Sequence, residues 1–297
     1  ISMVVGLGAN IEIATTAASF EEAGGLPPYA VPLLALALAL LLAFVVVERR
    51  VRDPLFDLRI FRSRNLSAGL LTNLFVGFCL MIGLVSVPIL VNVRVEDTTN
   101  LADAALKVGI LLSALTVPMA LAAIPGGWLS ERIGYGRVTV GGLLLALTGF
   151  ALIGLTWNYD IPDATVALHM ALVGVGLGLT FSPVSAAVIN AAPPDRLGVA
   201  SALVIILRLV GMTISVSTLT TLASQRLSYL VSQELGTDAA ANIEGYARLT
   251  VQVLGEIGWL GAAVCAVALA PALLLRKNDR SSVAVARGDT LPRPMGD

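Results

Sequence analysis

The chain has 297 residues, 57% of them apolar and only 13% charged, with a mean hydropathy of +0.87. A soluble domain of this size carries about twice that share of charge, so the composition excludes a water-soluble globular protein. A net charge of −1 without any basic stripe gives nucleic acid no footing.

The chain opens on Ile1 inside an apolar run. Residues 1–18 read as the outer end of a span whose beginning is missing, and not as a signal peptide, because no basic segment precedes them. Residues 19–28, SFEEAGGLPP, have the chemistry of a short loop. The first complete span covers about 29–47 and is nearly all Ala, Leu and Val, which suits a lipid-facing helix. Residues 48–65 hold six arginines, with Phe56, Leu58, Ile60 and Phe61 interleaved among the charges. That pattern suits an amphipathic segment lying on the membrane, and its basic character marks the cytoplasmic side.

A second span is predicted over 66–91, where Gly69, Asn73, Val76, Gly77 and Leu80 share one helical face. Residues 92–107 form an outer loop, and a third span over 108–129 carries Pro118 and Pro125. The joint that follows, 127–137, is the shortest charged connection in the chain, so the spans it links are antiparallel neighbours. Within it, Gly127 permits close backbone approach. Gly134 can take the positive φ of a tight turn, and Glu131 precedes the next helix where its dipole favours negative charge. The fourth span, 138–157, ends at Trp157 and Tyr159, the amphipathic rings favoured at a membrane boundary.

The fifth span, about 164–191, has two faces. His169, Gly176, Thr180, Pro183, Ala187 and Asn190 align as a candidate cavity lining. Gly174, Gly178, Ser182 and Ser185 form a small-residue stripe for close packing. The sixth span, 199–222, contains Arg208, with Gly211, Ser215 and Thr218 on its side. A polar, helix-compatible outer segment covers 223–250, the seventh span covers 251–275, and the tail from Arg276 reads as disordered.

Charge counting supports this topology. Of nineteen Lys and Arg, fourteen fall in segments placed inside, and Arg94, Lys107, Arg226 and Arg248 fall outside. Arg208 alone is in the membrane, where it has two readings: electrostatics of a substrate or proton pathway, or a structural arginine binding a neighbouring helix's carbonyls. His169, near the outer boundary, reads first as structural, and Asn73 and Thr180 read first as interhelical hydrogen-bond partners. Cys79 and Cys265 lie mid-span as buried thiols, no spacing suggests a metal or cofactor, and no nucleophile–base cluster suggests an enzyme.

The joint, with Gly127, Leu129, Glu131, Arg132, Gly134 and Arg137 on its key positions, resembles the cytoplasmic loop signature of the major facilitator superfamily of transporters. The family usually has Asp where this chain has Glu131. The run Asp53-Pro54-Leu55-Phe56-Asp57-Leu58 with Phe61, Arg62, Arg64 and Asn65, and Arg208-Leu-Val-Gly211, are similar to segments of the fourteen-helix drug:proton antiporters of the EmrB/QacA type. The resemblance implies that the motif loop (Gly127, Glu131, Arg132, Gly134, Arg137) clips helices together in one transport state and releases them in the other.

The expected fold is an all-α membrane protein. Over 66–275 it has the C-terminal six-helix bundle of a facilitator, divisible into two inverted three-helix repeats. Over 1–65 lie the end of a truncated span, one extra helix and a cytoplasmic linker, and over 276–297 a cytoplasmic tail. The resemblance implies a multi-pass plasma-membrane exporter of amphipathic or cationic drug-like compounds, driven by protons and completed by an absent N-terminal six-helix half. Arg208, His169, Asn73, Thr180 and Ser215 are its pathway candidates. The spans contain no deep Asp or Glu, so proton coupling rests on the resemblance alone. A lipid or metabolite exporter of the same fold is the alternative; a membrane-embedded enzyme or a non-transporting scaffold stands in another class.

Overall fold

The structure, a computed structural model, describes residues 63–94, 101–234 and 242–275, with seven isolated positions between 35 and 46. Those seven are helical and exposed. The expectations placed on 1–34, on most of the linker and on the tail lie outside the described residues.

Six helices follow one another: α1 (Arg64–Val93), α2 (Leu101–Ile133), α3 (Tyr135–Thr156), α4 (Asp163–Ala191), α5 (Leu197–Glu234) and α6 (Ile243–Leu273). A short 3-10 turn, Pro194–Arg196, leads into α5. All six are long and apolar enough to cross a membrane, and the described residues contain no strand. Prolines 88, 118, 125, 183 and 271 sit inside helices that run on through them.

The helices outrun the predicted spans wherever polar residues continue the helical pattern. α2 starts at Leu101, inside the expected outer loop, and α5 runs to Glu234. Hydropathy reports where hydrocarbon ends, whereas helix ends are set by caps and breakers. The α5 and α6 extensions have their own support: Arg226 grips the Glu256 carboxylate with two hydrogen bonds of 2.8 and 2.9 Å. The side chain of Asn242 caps α6 by accepting from the Gly245 N–H at 2.8 Å.

The packing repeats itself. α1 packs on α5 and α6 as α4 packs on α2 and α3, α1 touches α4, α3 touches α6, and α2 and α5 never meet. Exchanging α1–α3 for α4–α6 leaves this pattern unchanged, and the exchange inverts chain direction across the membrane, as two inverted three-helix repeats require. α1 and α4 are central, with 61% and 56% of their apolar stretches buried, against 17% and 22% for α2 and α5.

Apolar burial gives little drive between helices already in lipid, so close van der Waals approach has to hold them. Glycines supply it. A Cβ at Gly77 of α1 would collide with the Arg208 carbonyl of α5, and one at Gly174 of α4 with the Leu115 carbonyl of α2. A Cβ at Gly258 of α6 would stand 2.7 Å from the Gly154 nitrogen of α3.

Candidate functional site

The joint between α2 and α3 is tighter than the sequence suggested. Gly127, Glu131 and Arg132 belong to the last turns of α2, Arg137 to the first turn of α3, and Gly134 is the single non-helical residue between them. Gly134 has φ 99°, alone among described residues in adopting a positive φ, as the turn requires. Glu131 accordingly ends one helix more than it precedes the next. Arg132 stacks over Trp128 at 3.8 Å, and Glu131 and Arg137 are exposed. The glycine that meets a neighbouring backbone is Gly126, whose Cβ would lie 3.0 Å from the Leu179 carbonyl, while Gly127 faces the Ser182 side chain. Pro183 cannot donate to that Leu179 carbonyl, which leaves it free for such a contact.

The same end of the bundle is bolted to two other helices. Tyr135, at the start of α3, is buried and its hydroxyl accepts from Asn190 Nδ2 of α4 at 2.9 Å. Gly136 lies against the end of α6, where a Cβ would stand 2.5 Å from the Leu275 carbonyl. At the opposite end, Asp163 of α4 binds Arg94 at 3.4 Å and Lys107 at 2.7 Å, tying α1, α2 and α4 together. Burial holds the Arg94 guanidinium below the usual arginine range, a shift that Asp163 opposes.

Two of the predicted site residues come together in mid-bundle. Arg208 of α5 donates through Nε and Nη2 to Asn73 Oδ1 of α1, at 3.2 and 3.0 Å. Asn73 Nδ2 in turn donates to the Val204 carbonyl, one turn before Arg208. The guanidinium lies 3.4 Å over the ring of Phe181 of α4. Arg208 therefore touches a side-chain amide and a ring from two neighbouring helices, and not the helix-end carbonyls of the structural reading. Phe181 was invisible to sequence reasoning, since no spacing rule pairs a ring on one helix with a cation on another.

The inverted repeat shows how unusual this joint is. Gly77 meets the Arg208 carbonyl as Gly174 meets the Leu115 carbonyl, so one turn earlier Asn73 corresponds to Met170. At the twin crossing, Met170 and Leu115 are both wholly buried and apolar. The same backbone geometry thus forms without polar groups, and the Asn73–Arg208 pair is an addition that the frame does not need.

The other candidates lie elsewhere. Thr180 is fully buried against α3, 2.8 Å from the Cβ position of Gly142, and its hydroxyl bonds the Leu177 carbonyl of its own helix. It is not an interhelical hydrogen-bond partner. Gly176 also packs on α3, against Ala146. The face expected to line a cavity is here a helix seam. His169 and Ser215 are buried, and His169 Nδ1 and Ser215 Oγ have no hydrogen-bond partner. The small-residue stripe of α4 packs on α2 as expected, with Gly178 against the Met119 carbonyl. A groove of about 440 Å³ lies between α3 and α6, lined by Trp157, Tyr159, Arg248, Glu256 and Trp259. It is on a different seam from Arg208, which is half-buried. No group of three or more potential metal ligands occurs among the described residues.

The profile of the Major Facilitator Superfamily matches residues 2–216. A triacylglyceride transporter of Mycolicibacterium smegmatis is 31% identical over 275 residues, 84% of this chain and 48% of that protein. A triacylglyceride transporter of Mycobacterium tuberculosis H37Rv is 31% identical over 270 residues, 84% of this chain and 51% of its own. A probable triacylglyceride transporter of Mycobacterium leprae is 28% identical over 271 residues, 84% and 52% respectively. The chain spans about half the length of the curated relatives it matches.

Proposed function

This chain belongs to the major facilitator superfamily, and on that premise we propose that it supplies the C-terminal half of an exporter that moves a neutral glycerolipid by alternating access. The single observation behind this cargo is the set of relatives named for triacylglyceride transport. They favour the lipid alternative over the drug-efflux expectation. The chemistry agrees with them. A triacylglyceride carries no charge, and the described helices offer it no deep carboxylate, while the ion pairs among the described residues gather at the Arg94 end. A broad apolar path selects loosely, by size and by a few polar contacts.

In this reading the Gly134 hairpin faces the cytoplasm, the protein resides in the cell membrane, and a second six-helix half covers the cavity face. α2 and α5 border that face: Val117, Leu121 and Ile124 of α2 and Ile205 and Leu209 of α5 are all more than half exposed. Arg208 is the polar group of the pathway, aimed by Asn73 and Phe181, and it meets ester carbonyls as they pass. Proton drive is carried over from the family resemblance. Export of amphipathic cations by the same fold is the second reading, favoured by the Arg208-Leu-Val-Gly211 run.

The test is direct. Whole transporter in sealed vesicles is given labelled triacylglyceride in the membrane, or an amphipathic cationic dye, with and without a proton uncoupler. Uncoupler-sensitive transfer of the lipid and no movement of the dye is the expected result. Uncoupler-sensitive dye export with static lipid overturns the lipid reading in favour of the drug reading.

A further inference from the structure

We propose that Cys79 and Cys265 form a reversible covalent staple between α1 and α6, closed by a lipophilic quinone dissolved in the bilayer. The two sulfurs lie 3.4 Å apart, and both side chains are wholly buried. Both are free thiols. A disulfide holds its sulfurs at about 2.05 Å, so closure needs a little over 1 Å of approach, within reach of small rotations about two side chains.

The seam does not require sulfur. Cys79 Sγ also lies 3.9 Å from the Gly261 carbonyl, one turn before Cys265. In the inverted twin of this crossing, Gly176 of α4 meets the Gly142 carbonyl and Ala146 of α3 in the same relation. Glycine and alanine therefore hold that crossing, whereas two opposed thiols hold this one. Oxidation also leaves no buried polar group orphaned, because it removes both S–H donors, and the Gly261 carbonyl loses only a weak bond.

The reaction balances without help from any other side chain. The two thiols give up two electrons and two protons as the S–S bond forms. The quinone takes up both and leaves as the hydroquinone. Both sulfurs are buried within the helix seam of a membrane-spanning bundle, so an oxidant meets them only when the seam opens, and then from the hydrocarbon side. A quinone partitions into the bilayer, whereas a charged disulfide such as oxidised glutathione stays in water and cannot reach the pair.

The experiment uses whole transporter in membrane vesicles, treated with a fully ring-substituted benzoquinone so that the thiols cannot add to the ring. Remaining thiols are alkylated after denaturation and the peptides are weighed. The expected product joins the Cys79 and Cys265 peptides within one chain, two hydrogens lighter, and is reversed by a phosphine. Oxidised glutathione gives none of it. The oxidised protein also melts several degrees higher than the same protein reduced by the phosphine. Thiols that stay fully alkylatable after quinone overturn the proposal, as does linkage only between chains, equally fast closure by glutathione, or an unchanged melting temperature.

Discussion

Arg208 carries a charge that an insertion scale prices at about 3 kcal/mol in mid-membrane, at a crossing whose inverted twin manages with Leu115. That contrast separates stability from function. Replacing a buried polar pair by apolar residues of similar volume is often neutral or stabilising, whereas removing one partner strands the other. The double variant Asn73→Met, Arg208→Leu, copying the twin, is expected to melt at or above the wild-type temperature while transport is lost. Asn73→Leu alone leaves the guanidinium with only Phe181, and thermal unfolding in detergent should record a loss of about 2–4 kcal/mol. A clear fall in stability of the double variant would show the pair to be structural. At this scale the sequence was legible where polarity broke an apolar run, which is how Asn73 and Arg208 stood out. It was not legible for Thr180, whose hydroxyl turns back on its own helix, or for Phe181, one apolar residue among many.

At the scale of the element, glycine positions divide sharply. Gly134 sits at φ 99° and ψ 150°, a conformation essentially reserved for glycine, where a Cβ strains the backbone by about 1–3 kcal/mol, so Gly134→Ala should lower the melting temperature. Gly174→Ala drives a methyl group into the Leu115 carbonyl, and a large loss of folded protein is expected. Gly141 has open space around it, so Gly141→Ala should be neutral or stabilise by up to about 1 kcal/mol through helix propensity. Detergent melting curves of the three variants check this order, and Gly141→Ala behaving like Gly174→Ala would contradict it. The number and order of the spans from 66 onward were readable from hydropathy, and the turn at Gly134 from its glycine, but not the one-residue length of the joint, because charged residues continue both helices up to it. Helix ends were not, because Arg226–Glu256 and the Asn242 cap support α5 and α6 beyond the hydrophobic spans, through a segment that read only as polar and helix-compatible.

For the molecule as a whole, the inverted repeat could be anticipated only as a count of six spans divided by three. Which helices touch depends on glycines meeting carbonyls across seams, as Gly77 and Gly174 do, and no single helix displays its partner. In the proposed whole transporter, the two least buried helices, α2 and α5, are where a second bundle fits. Cysteines placed at Ile124 and Leu209 should be blocked from lipid-soluble maleimides in whole transporter relative to one at Leu168, an exposed position on α4. Equal labelling of all three would remove the second bundle from those faces.

The central claim is that neutral-lipid transport by this facilitator runs through the Asn73–Arg208 joint. Its most direct test compares initial rates of labelled triacylglyceride transfer for wild-type transporter and for the Asn73→Met, Arg208→Leu variant, matched for folded protein in the same vesicles. Transfer by the wild type and a rate no higher than that of empty vesicles for the variant is the predicted result. A variant that transfers lipid at the wild-type rate would contradict the account.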